Sequence, residues 1–308
     1  MRIRFRNGIE LDCGDKLLLD PIRTVRSAPS LVSHAHSDHV PRDISNPSGE
    51  ILATEGTAAL IRRRYGNGSV NVIHFGEEVK LGSLEVYAFP AGHIYGSAGF
   101  LINCGGKTVF YTGDVNPLGG LTVESPARIP SSDILIVEST YGHPRYRFPD
   151  PHKVRMDIAK WVAEEVSSGR SPVIEAYLVG KSQEVIALLN RYTNVEVVVS
   201  ERVAEVSEPL KERFRLEYTT SPDGPHVLVT HRARTNGKAR VTGWALFSKR
   251  RQDFPLSAHA DFDGLVSIVM GTNPERVLTV YGYNEEFAKW LKKWGIDAQP
   301  LGGEWIEF

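Results

Sequence analysis

Within six consecutive residues, His34-Ala35-His36-Ser37-Asp38-His39, the chain carries three imidazoles and a carboxylate. Such a run is poor core material, because each polar group needs a partner once buried. It is equally odd as a solvated loop, where nothing selects three rings. Imidazole and carboxylate together form a donor set for zinc, and also for manganese or iron. The alternation aims His34 and His36 at one ion, while Asp38 and His39 reach a second one about 3.5–4 Å away. Asp38 therefore counts among both the ligands and the catalytic groups.

A two-ion site needs donors from elsewhere in the chain. His93, in Ala91-Gly92-His93, and Asp114, in Thr112-Gly113-Asp114, each follow a strand-like stretch. Strand ends are where α/β sheets place ligands. The small residues Gly92, Gly96, Ser97 and Gly99 around His93 permit close backbone approach. Asp114 is read as a carboxylate bridging both ions. Asp20, in Leu19-Asp20-Pro21, is read as an acceptor that orients a ligand histidine.

The elements that must position these residues are mostly short strands. Ile9 to Cys13, Lys16 to Leu19, Ser30 to Ser33, Ile51 to Ala53, Leu84 to Phe89, Gly99 to Asn103, Thr108 to Thr112 and Ile134 to Glu138 have the composition. A helix is expected over Thr57 to Tyr65. From about residue 150 the texture changes. Helices His152 to Ser168, Ser182 to Asn190 and Arg202 to Phe214 alternate with strands Pro172 to Ala176, Val195 to Val199 and His226 to Thr230. That alternation predicts a parallel sheet with crossover helices. A helix (Phe262 to Met270), a strand (Arg276 to Val280), a helix (Asn284 to Trp294) and a strand near Trp305 complete the reading.

At 308 residues and 41% apolar composition, the chain can bury a sizeable core. A net charge of -1 excludes a globally basic protein but not a local basic groove. Cys13 and Cys104 lie in apolar, strand-like stretches and read as buried free thiols of a reducing compartment, too far apart for a zinc ribbon. No segment is apolar for long enough to span a bilayer. The alternating run Met1 to Arg6 reads as a first strand and not as a signal peptide. The expectation is a soluble cytoplasmic protein with no membrane partner. Three Met and three Gln point to a heat-adapted source.

Asp20, the His34 to His39 cluster, His93 and Asp114, in that order and spacing, resemble the metallo-β-lactamase superfamily. The resemblance implies an α/β fold, a four-layered αββα sandwich with two divalent ions, zinc or manganese, at one edge. Later motifs resemble the β-CASP branch, whose members are nucleic-acid-processing nucleases. These are Val137-Glu138-Ser139-Thr140-Tyr141-Gly142, Gly180-Lys181-Ser182-Gln183-Glu184 with its following apolar run, and Leu256-Ser257-Ala258-His259-Ala260-Asp261. Val241-Thr242-Gly243-Trp244 is similar to short members described as ligase-associated DNA exonucleases or as messenger-RNA 3′-end-processing-factor-like proteins. The implied organisation is a metallo-β-lactamase domain over 1–150 and 256–308 with an inserted α/β cassette over 151–255. The cassette is expected to close over the metal domain and form a narrow slot. Glu138, at the end of a buried strand, would hold His259 as general acid for the leaving oxygen.

One position departs from the pattern. Where that branch carries a further metal-binding histidine, this chain reads Val280-Tyr281-Gly282, and no histidine follows His259. A phenol, with a pKa of about 10, is a poor ligand, so the second metal site is expected to be the weaker one. DNA-repair nucleases of the Artemis type also lack this histidine, which favours DNA over RNA. Arg232, Arg234, Lys238 and Arg240, with Lys249-Arg250-Arg251, read as a phosphate-tracking groove, joined by Lys181; Tyr141 and Trp244 are candidates for base stacking. Arg62-Arg63-Arg64 reads as solvated surface.

These residues predict a metal-dependent exonuclease acting on single-stranded DNA. An RNA endo- or exonuclease of the 3′-end-processing type is the alternative. Two other classes remain: a small-molecule metallo-hydrolase, in which Glu138 and His259 have no task, and an inactive nucleic-acid-binding scaffold, which would not need the intact ligand cluster.

Overall fold

The computed structural model describes residues 1–66, 69–235, 238–250 and 252–308. Its backbone contacts divide it into two compact units, Met1–Gly119 with Val123–Tyr146 and His259–Phe308, and Gly120–Thr122 with Arg147–Ala258. The first unit opens with β1 (Arg2–Phe5), β2 (Ile9–Asp12), β3 (Lys16–Leu19), β4 (Ser30–Leu31), β5 (Ile51–Ala53), α1 (Glu55–Tyr65), β6 (Asn71–Val72), β7 (Glu78–Leu81), β8 (Leu84–Pro90), β9 (Ala98–Cys104), β10 (Lys107–Tyr111) and β11 (Ile134–Glu138). The second contains α2 (Pro151–Ser167), β12 (Val173–Ala176), α3 (Lys181–Tyr192), β13 (Glu196–Val199), α4 (Glu201–Phe214), β14 (His226–Thr230), β15 (Ala239–Val241), a 3-10 turn (Gly243–Phe247) and β16 (Asp253–Phe254). The first unit resumes with α5 (Phe262–Thr272), β17 (Arg276–Val280), α6 (Asn284–Lys293), β18 (Ala298–Pro300) and β19 (Ile306–Glu307).

Among the described residues the first unit has two seven-stranded sheets, ordered β19-β1-β2-β3-β4-β5-β6 and β18-β17-β11-β10-β9-β8-β7. They face each other across a core in which Ile3, Leu11, Leu17 and Leu31 meet Val86, Phe100, Ile102 and Tyr111. On the far side of the second sheet, Phe110, Leu135 and Val137 pack against Phe262, Leu265, Phe287 and Leu291 of α5 and α6. Helix α1, with Leu60 and Ile61 buried, flanks the first sheet. This is the αββα sandwich that the sequence predicts. β8 alternates buried and half-buried residues, as a strand with one face in the core must. β11 is buried throughout because β10 and β17 pair with it in parallel on both sides. Its apolar run therefore stops only at Glu138, at the carboxyl edge of the sheet.

Among the described residues the second unit carries a five-stranded sheet, β13-β14-β12-β15-β16, parallel throughout. Asp150 caps α2 by accepting from His152 and Lys153, with Pro151 opening the first turn. The strand expected over Ser30 to Ser33 stops at Leu31, because the Ser33 amide is taken by the Asp20 carboxylate. The two- and three-residue strands β6, β16, β15 and β18 have no sequence signal of their own; they exist because longer neighbours offer them a ladder.

One expectation is overturned. Cys13 and Cys104 are not free thiols but a disulfide, with Cα atoms 5.9 Å apart. Cys13 follows β2 of the first sheet and Cys104 ends β9 of the second, so the bond ties the sheets together. The sequence separation of 91 residues hid a proximity that only sheet stacking creates. A loop of that size limits the unfolded chain by about 4–5 kcal/mol on the chain-entropy estimate. Reduction, or Cys104→Ser, is expected to lower the melting temperature of the protein by several degrees in calorimetry; an unchanged melting curve would show that the bond adds nothing.

Candidate metal centre

The cluster is assembled from loops at the strand ends of the first unit. His34, His36 and His39 follow β4, His93 follows β8, and Asp114 follows β10. Backbone shape makes the loops possible. Gly113 has φ 55°, and a Cβ there would stand 2.8 Å from the Ser33 Cβ. Gly92, at φ 69°, would meet the Asn116 carbonyl at 2.3 Å. Each glycine therefore lets its neighbour, His93 or Asp114, turn inward.

His34 Nε2 lies 3.0 Å from His36 Nδ1, and His36 Nδ1 lies 3.2 Å from His93 Nε2. Asp114 Oδ2 closes the group at 3.4 Å from His34 Nε2 and 3.6 Å from His93 Nε2. A tetrahedral zinc site with bonds near 2.0–2.1 Å has donor–donor edges of about 3.3–3.4 Å. The chemistry and spacing of these four donors fit a divalent cation. The other oxygen of Asp114 serves a second group: Oδ1 lies 3.5 Å from His39 Nε2, which is 3.9 Å from Asp38 Oδ2. Asp38 is largely exposed, its side chain 79% accessible, so this group is open to solvent where the first is closed.

Asp20 is the support beneath. Its carboxylate accepts from the Ser33 amide at 2.6 Å, the Ser33 hydroxyl at 2.6 Å, the Tyr111 hydroxyl at 2.7 Å and His39 Nδ1 at 2.7 Å. With Nδ1 donating to Asp20, His39 presents Nε2 to Asp114. Asp20 adopts φ 46°, a left-handed conformation that non-glycine residues seldom take outside constrained sites. Tyr281, at φ 60°, sits behind His39 with ring centroids 5.1 Å apart and its hydroxyl 3.2 Å from that of Tyr111. The phenol at the position expected for histidine is thus hydrogen-bonded into the support network.

Glu138 and His259 form the third part. His259 Nδ1 bonds Glu138 Oε1 at 2.9 Å, and its Nε2 points toward Asp114 Oδ2 at 3.9 Å. Glu138 Oε1 also accepts from the Val115 amide and Oε2 from the Thr140 amide, each at 3.0 Å. The Ala260 amide bonds the Val115 carbonyl at 2.6 Å, which fixes His259 beside the Asp114 loop. Glu138 could join His259 and Asp114 around a cation, but its oxygens are already engaged by protein donors. The geometry suits an acid held by a carboxylate.

Burial penalises a charge on His34, and the neighbouring imidazoles add to that, holding its pKa well below the usual value. Burial also opposes a charge on His39, but Asp114 and Asp20 outweigh it and raise its pKa to about 10. Burial raises Asp114 to about 6 against the pull of His39 and His259. Burial likewise opposes the Glu138 carboxylate, but His259 and its hydrogen bonds lower its pKa below the ordinary range. Neutral His34 is ready to accept a cation, and His39 must give up a proton to do so.

The expected substrate contacts Lys181, Arg232, Arg234, Lys249 and Arg250 all belong to the second unit. Arg232, Arg234, Lys249 and Arg250 are exposed. Arg250 Nη2 donates to the Lys238 carbonyl at 2.8 Å. Lys238 pairs with Glu175 at 2.7 Å and Arg240 with Asp253 at 2.5 Å, so part of this basic run neutralises its own carboxylates. Arg251 lies outside the described residues. Lys181, at the start of α3, is buried, and burial pulls it down to about 8. The reading of Arg62-Arg63-Arg64 as solvated surface fails for Arg64. Its Nη1 donates to the Ala35 carbonyl, between two of the histidines, and its Nε is buried without a partner. A guanidinium at helical spacing on α1 gave no hint of this. Ser33 and Tyr111 were also missed; Ser33 at least adjoins the cluster.

A domain described as "Beta-lactamase superfamily domain" matches residues 16–167. The chain is 34% identical over 298 residues to a protein from Opitutus terrae named "Probable DNA ligase", covering 89% of this chain and 28% of that protein. It is 26% identical over 181 residues to an "RNase J-like protein" from Methanocaldococcus jannaschii, covering 53% of this chain and 43% of that one. The chain thus spans less than half the length of both. A crystal structure of a protein of unknown function from Enterococcus faecalis superposes with a TM-score of 0.65 at 16% identity, covering 91% of this chain and 80% of that one. The last likeness concerns the fold alone.

Two outcomes test the electrostatics. Asp20→Ala removes the acceptor of four buried donors and is expected to cost about 3–5 kcal/mol in urea denaturation; a loss under 1 kcal/mol would show that water replaces the carboxylate. Lys181 is a base whose folded pKa is depressed, so the folded protein binds fewer protons than the unfolded chain between about 8 and the unfolded value of about 10.4. Stability from this group is lowest below pH 8 and recovers as pH rises through that window. Lys181→Met is therefore expected to stabilise the protein at pH 7 by up to about 3 kcal/mol, with the gain vanishing above pH 10.5; a gain independent of pH would refute the burial penalty.

Proposed function

The chain belongs to the metallo-β-lactamase superfamily and to its β-CASP nuclease branch, and on that premise we propose that it is a metal-dependent phosphodiesterase, an exonuclease acting on single-stranded DNA. One observation carries the reading. Asp114 offers Oδ2 to His34 and His93 and Oδ1 to His39, with the His259–Glu138 pair reaching the same carboxylate from a third direction. His34, His36, His93 and Asp114 would hold one ion, and Asp38, His39 and Asp114 a second, looser one. Divalent zinc or manganese there would supply an activated water at neutral pH and stabilise charge developing on a phosphate. His259, positioned by Glu138 through Nδ1, presents Nε2 to the reacting region and is the group to protonate the leaving oxygen. Asp20 keeps His39 in the tautomer that faces the centre.

DNA is favoured because the relative that aligns with 89% of the chain is named a probable DNA ligase. RNA is the second reading, carried by the relative named RNase J-like protein. The second unit corresponds, in this proposal, to the β-CASP cassette, and its exposed Arg232, Arg234 and Lys249 to phosphate contacts. Among the described residues no helix is long and apolar enough to cross a membrane. We place the protein in the cytoplasm; a disulfide such as Cys13–Cys104 is rare there except in hyperthermophiles.

The test uses matched DNA and RNA oligonucleotides labelled at either end, with Mn²⁺ or Zn²⁺. DNA is expected to shorten from one end, and His259→Ala to be slower by about a hundredfold or more. If neither polymer is cut, or if His259→Ala cuts as fast as wild type, the proposal is wrong. Metal titration is expected to give one tight and one weak site, with Tyr281→His tightening the weak one about tenfold; an unchanged titration would mean that this position does not reach the ion.

A further inference from the structure

A line of aromatic rings leads away from the metal centre within the first unit. The His93 and His259 rings stand 4.4 Å apart. Tyr141 meets His259 edge-on at 5.8 Å, Tyr146 follows at 5.1 Å, Tyr283 at 5.3 Å, and His143 at 5.7 Å. The line begins buried and ends half-buried at Tyr283 and His143. Arg145 is exposed at its outer end. Its Nη2 donates to both the Tyr146 and Tyr283 hydroxyls at 2.7 Å, and the two hydroxyls bond each other at 2.9 Å. The guanidinium also lies over both rings, 4.8 Å and 5.6 Å from their centroids.

Two chain segments build this group. The loop after β11 carries Tyr141, His143, Arg145 and Tyr146, and the turn after β17 carries Tyr283. They are stitched by the Tyr283 amide bonding the Ser139 carbonyl at 2.7 Å. The Arg145 amide donates to His143 Nδ1 at 3.2 Å, which leaves the ring proton of neutral His143 on Nε2 as a donor. Rings held by a shared guanidinium lose little freedom when a planar ligand stacks on them. The combination of ring faces, a cation and an imidazole N–H matches a nucleotide, with a π-face to stack and a phosphate to neutralise.

We propose that Tyr283, His143 and Arg145 form a nucleotide subsite beside the reacting centre, where Tyr283 stacks a base and Arg145 with His143 Nε2 meets a phosphate of the same strand. The ligand is a single-stranded polynucleotide, and the subsite takes the nucleotide next to the scissile phosphate or the one after it. The subsite rests on the nuclease reading. Because stacking accepts any base, it recognises a strand without selecting a sequence.

The experiment measures fluorescence anisotropy of a labelled ten-nucleotide single-stranded DNA on the full chain in EDTA, so that binding is read without cleavage. Tyr283→Ala is expected to raise Kd about tenfold, the size of one base–aromatic stack, and Tyr283→Phe to stay near wild type. Arg145→Ala is expected to reduce the slope of log Kd against log salt by about one. A scan of abasic positions on wild type is expected to find one near an end that weakens binding, and Tyr283→Ala to be indifferent to that position. A scan with no sensitive position overturns the subsite, even if Tyr283→Ala fails to fold. So does Tyr283→Phe binding as weakly as Tyr283→Ala, since the phenol would then matter as a hydrogen-bonding staple. Wild type that binds DNA while all variants bind equally removes the subsite and leaves the nuclease reading standing. Wild type that binds no oligonucleotide at all in EDTA also removes the subsite, while the nuclease reading falls only if cleavage with Mn²⁺ or Zn²⁺ fails as well.

Discussion

The site depends on one carboxylate being shared. Asp114 is buried, and burial alone would favour its neutral form. It is kept in play by imidazoles on several sides, with one oxygen turned to His34 and His93 and the other to His39. That division turns a histidine cluster into two adjoining donor groups. It also explains why Gly113 precedes it: any side chain there would press on Ser33 and lift the carboxylate out of position.

Beneath Asp114, the chain invests heavily in holding His39. Asp20 collects donors from three places, the Ser33 loop, β10 and His39 itself, and takes up an uncommon backbone conformation to do so. A buried carboxylate is costly unless every lone pair is engaged, and here the engagement specifies a tautomer. Tyr281 extends the same network through Tyr111. The phenol that stands where an imidazole is expected is therefore part of the hydrogen-bonded support around His39. The two donor groups become unequal, one closed and complete, the other open and anchored by exposed Asp38.

Polar economy runs through the basic residues too. Of the run after β14, Lys238 and Arg240 serve Glu175 and Asp253, while Arg232 and Arg234 remain exposed. In the first unit Arg145 is tied to two phenols, and Arg64 reaches the backbone between His34 and His36. Positive charge on this near-neutral chain is therefore placed residue by residue.

The sequence by itself pointed to the alternation of strand and helix after residue 150 and to His34, His36, Asp38, His39, His93 and Asp114 as one group, and through family resemblance to the αββα class and to Glu138 beside His259. The histidine cluster was legible from short-range spacing, and His93 and Asp114 from their strand-end positions, whereas Glu138 and His259 were legible through the family resemblance. Asp20 and Glu138 were legible as supports, but the tertiary structure alone decided which other residues join them. Tyr111 lies 91 residues from Asp20, and Cys13 lies 91 from Cys104; each pair meets only because two sheets stack in one register. Arg64 bonds a carbonyl 29 residues away, and Tyr283 a hydroxyl 137 residues away, through loops whose paths no local pattern encodes. Ligands announce themselves by residue type, whereas their supports are ordinary residues made specific by the three-dimensional packing around them.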